Sequence, residues 1–286
     1  MKIRVALTGA RGWIGAGLAP MLEAHGADPL VLDGDMRTPE SFDAAFDVLI
    51  HLASASREAF LADPEASVAM HRAGIGNALH AAARNRARLV FISTSGVYAR
   101  DATGVLDEES GRIDPPHPYG QCKWQEELSC RAWSDTHGVP VRILRLFNVY
   151  GPGQSERFLI GYLVRQAMNG ATIRLLTPQA RRDFVHLADV RRAILLAALT
   201  PLAGVEICNV GSGVARSVLD VVAALQKRLA TPLQIVQPES IVPATDQAIA
   251  AIDRIRQALG WSPAITLEQG IAGCLEEHAS DPAQPA

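Results

Sequence analysis

Five short apolar runs alternate along the first half of the chain with stretches that carry a helical repeat. The runs are residues 3–7, 30–32, 48–52, 89–92 and 141–146. After the first, Ile14, Leu18, Met21, Leu22 and His25 fall on one face at helical spacing, and Gly26 ends that helix. Asp63 and Pro64 offer an N-cap and a first-turn proline for a helix to about Arg84. A further helix is predicted from about Pro118 to Thr136. Strands and helices alternating at these lengths imply parallel strands joined by right-handed crossovers. Near-continuous apolar character implies that both faces of the strands are covered. The expected fold class is α/β, a doubly wound parallel sheet.

After Gly151-Pro152-Gly153 the elements shorten and strand character weakens. Ser217 opens a helix with Val218, Val221, Val222, Leu225 and Leu229 on one stripe, and Asp220 completes a capping box. Thr266 with Gln269 repeats that signal. The expected organisation is a dinucleotide-binding domain over 1–150, to which part of 177–210 returns. Residues 151–286 form mostly a smaller α+β lobe, with a disordered tail at 280–286. The basic run at 84–88 reads as a solvated helix end favoured by the helix dipole.

Composition excludes several classes of function. Of 286 residues 48% are apolar and 20% charged, enough for a sizeable core and against global disorder. A net charge of -3 leaves no basic excess for a phosphate backbone, so no nucleic-acid partner is expected. The longest strongly apolar run, 193–199, is far below the ~20 residues of a membrane span, so no membrane partner is expected either. The first residues lack an apolar stretch long enough for a signal peptide. Cys122, Cys130, Cys208 and Cys274 form no C-x-x-C pair, which suits a reduced, cytoplasmic setting. The eight histidines show no ligand spacing, so no metal site is expected.

Gly9, Gly12 and Gly15 follow the first strand and open the first helix. A dinucleotide needs such a loop for its tight turn, its close approach to a pyrophosphate and its helix N-terminus. Arg11, Trp13 and Ile14 complete the loop. Asp33 ends the second strand 24 residues after Gly9, where a carboxylate would accept hydrogen bonds from an adenosine ribose diol. It would repel a 2′-phosphate and so favours NAD over NADP, although Arg11 could reach such a phosphate by folding back.

Tyr119 and Lys123 share a face of a predicted helix. An ammonium beside a phenol favours the phenolate and makes it usable as a proton acceptor. The chain holds only three lysines, and arginine supplies its other side-chain cations. A lysine here therefore suggests a need for a compact point charge.

With these features in place, the chain resembles the extended short-chain dehydrogenases/reductases of the NAD-dependent epimerase/dehydratase family. The matching stretches are TGARGWIG, DVLIHLAS, FISTSGVYA, PYGQCK, RLFNVYGP, RRDFVHLADV, NVGSG and LGWSP, from the first strand to about His278. The resemblance implies a Rossmann-type sheet with a smaller C-terminal substrate lobe, NAD as cofactor, and a homodimer formed by the helices at 64–84 and 118–136. It implies that Thr94, with Ser93 and Ser95 as neighbouring alternatives, bonds the reacting sugar oxygen. Tyr119 would move the proton, and Lys123 would hold the nicotinamide ribose. Leu52, Ala53 and Ser54 would line the cofactor, Asp35 and Met36 would meet the adenine, and Asn148 would face the substrate. Arg182 and Asp183 would lie between the lobes.

Three departures qualify this. Dehydratases of the family carry Asp-Glu after the catalytic Thr, whereas this chain has Ser95 and Gly96, so 4,6-dehydration is not expected. An early-helix Asn is replaced by His71, while Asn77 is kept. An Arg that often precedes two Asp residues, here Asp246 and Asp253, is replaced by Pro243. Arg216 is the candidate to compensate if the substrate carries a diphosphate. The expected function is an epimerase or keto-reductase acting on a sugar, taken to be a nucleotide sugar. The alternatives are a non-catalytic dinucleotide sensor, which would not need Thr94, Tyr119 and Lys123, and a reductase of a non-nucleotide substrate.

Overall fold

The computed structural model describes residues 2–55, 57–99, 101–236 and 248–280. In chain order the first half runs β1 (Arg4–Thr8), α1 (Leu18–Ala24), β2 (Asp28–Leu32), β3 (Val48–His51), α2 (Arg57–Ala62), α3 (Pro64–Asn85), β4 (Arg88–Thr94), β5 (Gly104–Leu106), α4 (Pro118–His137) and β6 (Val141–Leu146). Then follow β7 (Asn148–Tyr150), α5 (Leu159–Met168), β8 (Ile173–Arg174), β9 (Arg181–His186), α6 (Leu187–Leu199), β10 (Val205–Val210), β11 (Ala215–Ser217), α7 (Val218–Gln226), β12 (Ile235–Val236), β13 (Ala248–Ala250), α8 (Asp253–Leu259) and α9 (Leu267–Ser280).

The central sheet has the order β10-β6-β4-β3-β1-β2, and every neighbouring pair is parallel. This is the expected Rossmann-type architecture. Chain order reverses at β1, with β2 on one side and β3 on the other, so a crevice opens there at the carboxyl ends of the strands. Alternate side chains of each strand feed two cores. Val5, Leu7, Val48 and Ile50 pack with α1 and α6 on one face. Ala6, Leu49, Leu89, Phe91 and Ile143 pack with α3 on the other.

Local signals carry through. Asp63 caps α3 by accepting from the Ala66 amide at 2.9 Å. Ser217 and Asp220 close a reciprocal capping box on α7. Thr266 and Gln269 exchange the same pair of bonds ahead of α9. Some readings need correction. Leu229 lies beyond the end of α7, because the helix stops at Gln226. In the basic run at 84–88, Arg84 and Arg86 are exposed at the helix end as expected, whereas Arg88 is half-buried. Arg84 donates to the Phe42 carbonyl, and Arg88 reaches the Ala198 carbonyl at 2.9 Å. The apolar run at 193–199 is the buried half of α6, packed beneath the sheet.

A third core gathers Tyr150, Leu163, Val221, Leu225 and Ile271 from α5, α7 and α9 around the three-stranded sheet β11-β9-β7. Asp183 on β9 ties this lobe to the loop after β10. Fully buried, it accepts from the amides of Ser212, Gly213 and Ala250 and from the Ser212 hydroxyl. The readings on Pro243, Asp246 and the residues beyond 280 lie outside the described residues. Among the described residues no helix is long and apolar enough to cross a membrane.

Candidate active site

The loop after β1 depends on its glycines. Gly9 has φ +68°, and a side chain there would meet the Ala53 amide nitrogen at 2.7 Å. A Cβ on Gly15 would strike the Gly9 carbonyl oxygen. The Gly12 amide donates to that same carbonyl at 3.0 Å. Arg191 on α6 fixes the loop from below, donating to the carbonyls of Trp13 at 2.7 Å and Ile14 at 2.9 Å. The Trp13 indole reaches across to the Pro152 carbonyl at 2.7 Å.

Thr8 joins this loop to the end of β3. Its hydroxyl oxygen accepts from the amides of Leu52 and Ala53, both at 3.2 Å, and lies 2.9 Å from His51 Nδ1. With two amides on the oxygen, the hydroxyl proton is left to donate to Nδ1. His51 is therefore neutral, with its proton on Nε2. Burial pushes its pKa down from 6.5 to about 4.

Past the end of β2, Arg11 places a guanidinium nitrogen 2.7 Å from the Asp33 carboxylate. Asp35, bracketed by Arg37, is held down at about 2 by hydrogen bonds from that side chain and its amide. The Met36 carbonyl accepts from Asn77 at 3.0 Å. Asp35, Met36, Leu52, Ala53 and Ser54 line a cavity of about 420 Å³ that also touches Gly9 and Gly12.

A larger crevice of about 710 Å³ runs from the glycine loop into the second lobe. Thr94, Ser95, Tyr119, Lys123, Asn148, Arg157 and Arg182 share its wall with Gly9, Trp13, Leu52 and Ser54. Close packing of Gly120 on the Gly96 carbonyl sets the first turn of α4 against the turn after β4. This brings Tyr119 into the same crevice as Thr94. Ser93 lines the same crevice, but its hydroxyl donates to buried Glu127 at 2.6 Å. Thr94 caps the next turn by accepting from the Gly96 amide. The Tyr119 ring packs edge-on against Phe60, with centroids 5.5 Å apart.

Lys123 is buried, with its ammonium 3.1 Å from Glu126 and 4.7 Å from the centre of the Phe91 ring. Burial alone would lower its pKa, but the Glu126 and Tyr119 charges outweigh that and raise it. Behind it, Glu127 takes a two-pronged bond from fully buried Arg145, which also donates to Tyr98. Asn148 donates to the Asp183 carbonyl. Arg216 stands on β11 opposite Arg182 but is absent from the crevice wall, and Arg157 supplies a cation there instead. Among the described residues the wall carries no carboxylate. Donor atoms of His71, Cys122 and Glu126 lie within 4.8 Å of one another, as metal ligands would. The Lys123 ammonium and the Ala55 amide already engage two of those groups.

Sequence reasoning missed Thr8, His51, Arg191, Glu126 and Glu127. Only Glu126 and Glu127, one turn past Lys123 in the same helix, carried a local signal.

The family model for the NAD dependent epimerase/dehydratase family matches residues 5–211. The chain belongs to that family. It is an NAD(P)-dependent enzyme of the extended short-chain dehydrogenase/reductase type, and the glycine cradle and crevice fit the dinucleotide. Among its relatives is the GDP-6-deoxy-D-mannose reductase of Pseudomonas aeruginosa, 28% identical over 301 residues and covering 98% of each chain. A solved structure of RMD from Pseudomonas aeruginosa complexed with NADPH matches with a TM-score of 0.86 at 27% identity, covering 98% of this chain and 99% of that one. MoeE5 in complex with UDP-glucose and NAD matches with a TM-score of 0.83 at 25% identity, covering 97% and 99%. Relatives and neighbours of this enzyme are thus nucleotide-sugar enzymes, which supports NAD-dependent sugar modification.

Proposed function

We propose that this enzyme is an NAD-dependent epimerase or keto-reductase of a nucleotide sugar, with Tyr119 moving the proton. One observation carries the reading. A single crevice is lined by the glycine loop, Thr94, Tyr119 and Lys123 together with Arg157 and Arg182. A bound nicotinamide would exchange hydride with the sugar carbon through its C4. Tyr119 takes the proton from the sugar hydroxyl as the ketone forms, or returns it as the ketone is reduced. The buried ammonium of Lys123 offsets the negative charge that develops beside it and holds the cofactor ribose. The hydroxyls of Thr94 and Ser95 hold the reacting oxygen, and Asn148 orients the sugar.

Arg157 and Arg182 suit the diphosphate of the substrate, and Arg216 is assigned no direct contact. The cationic wall favours a nucleotide sugar over a free one. Among the described residues the crevice offers no carboxylic acid to expel a hydroxyl as water, so dehydration is disfavoured. Gly9, Gly12, Gly15 and the intervening Arg11, Trp13 and Ile14 take the pyrophosphate, Asp33 the adenosine ribose, and Asp35 and Met36 the adenine. Leu52, Ala53 and Ser54 line the cofactor. Asp33 favours NAD over NADP. We read α3 and α4, packed side by side, as the homodimer interface. Light scattering should give twice the 30.6 kDa chain mass.

A thermal-shift screen of NAD, NADP, UDP- and GDP-sugars and free sugars tests the reading. At a hundredfold excess over Kd a ligand adds about 2.7 kcal/mol, or about 5–10 °C in Tm. NAD followed by a nucleotide sugar should give additive shifts, and the free sugar none. Equal shifts from free and nucleotide sugars, or none from NAD, would remove it.

A further inference from the structure

Lys123 and Glu126 form an ion pair inside the protein, 2% and 3% exposed. On its other oxygen Glu126 faces His71 Nδ1 at 3.0 Å. His71 is itself buried, and the Ala55 amide donates to its Nε2 at 3.0 Å. An amide can only donate, so Nε2 carries the lone pair and the ring proton sits on Nδ1, aimed at Glu126. One continuous line of contacts therefore runs from Ala55, beside the cofactor-lining loop, through His71 and Glu126 to Lys123.

We propose that Glu126 and His71 are positioning residues that keep Lys123 charged and aimed into the crevice, and that couple it to the loop at 52–55. The inference rests on the reading of Tyr119 and Lys123 given above. A buried ammonium without a partner favours losing its proton, and the Phe91 ring offers it only a π face. Other groups act on this cluster from each packed element. On α4 these are Tyr119 and Cys122, whose thiol is pushed up to about 11 by burial and so stays neutral. His51, on β3, is neutral at ordinary pH. On α3, the His71 Nδ1–H donates a hydrogen bond to the carboxylate. Glu126 is thus the carboxylate that holds the charge on Lys123, and His71 fixes which way that carboxylate points.

The chain has three lysines, which makes a direct readout practical. Protein labelled with ε-¹³C lysine gives three titrating signals by NMR, and Lys123→Arg identifies the one from Lys123. In the wild-type protein that signal should titrate above the ordinary lysine value of 10.5. In Glu126→Gln its midpoint should fall by about 2 units or more, and in His71→Leu by less. An unchanged midpoint in Glu126→Gln overturns the inference. If that variant does not fold by circular dichroism, the other two measurements decide. A wild-type Lys123 titrating below the ordinary range, or an unchanged midpoint in His71→Leu, overturns it. Activity of Tyr119→Phe separates this inference from the functional reading. Retained turnover there removes the assigned chemistry but leaves the Lys123 titration standing. An unmoved titration removes the couple and leaves the chemistry standing.

Discussion

Acidification should destabilise this protein through His51 in particular. The ring lies between Phe42 and Phe91, with centroids 6.5 and 6.4 Å away, and accepts the Thr8 hydroxyl proton at Nδ1. Its pKa falls from 6.5 in the unfolded chain to about 4 in the fold. Between those values the unfolded chain binds a proton that the folded one refuses, so stability rises with pH and is lost as pH falls. The shift corresponds to about 3 kcal/mol, most of it lost by pH 4.5. Protonation at Nδ1 also breaks the Thr8 bond, and Thr8 holds the amides of Leu52 and Ala53 beside the glycine loop. The assay is urea unfolding at a series of pH values for wild type and His51→Asn. The asparagine oxygen can accept from Thr8 but does not titrate. The variant should lose stability by a constant amount at neutral pH yet lack the extra acid loss of about 3 kcal/mol. Parallel stability–pH curves for the two proteins would refute the reasoning.

Glu127→Gln leaves the fully buried Arg145 without its carboxylate and weakens the Ser93 bond. It should cost about 3–5 kcal/mol in unfolding free energy, measurable by denaturant titration. A loss under 1 kcal/mol would show that the pair is not the bracket described. Asp33→Ala should weaken NADH binding about tenfold by fluorescence titration and NADPH binding much less. Arg11→Ala should weaken NADPH selectively. Equal effects on both cofactors would discredit the ribose assignment.

What could be read from the sequence was what acts locally. β6 occupies the expected residues 141–146 because its mostly apolar run follows directly on the Gly138 cap that ends α4 and on Pro140. The caps at Asp63, Ser217 and Thr266 are legible because each bond spans three residues. The Tyr119–Lys123 spacing and the glycine loop are signals of the same kind. What escaped depends on contacts between distant parts of the chain. Thr8 meets His51 across 43 residues, and Arg191 holds the carbonyl of Trp13 from 178 residues away. His71 and Glu126 are 55 apart, and neither alone marks the pair. That the Ser93 hydroxyl is engaged by Glu127, 34 residues away, was likewise out of reach of the local pattern. Arg88 was misread for the same reason, because its partner carbonyl lies on α6.

The central claim is that a phenol and an ammonium from successive turns of α4 work beside a bound nicotinamide. Its most direct test is single-turnover hydride transfer in Tyr119→Phe, followed at 340 nm with the nucleotide sugar that most stabilises the wild-type protein. The account predicts a rate loss of about 10²–10⁴ with NADH affinity within a few-fold of wild type. Hydride transfer at the wild-type rate in that variant would contradict it.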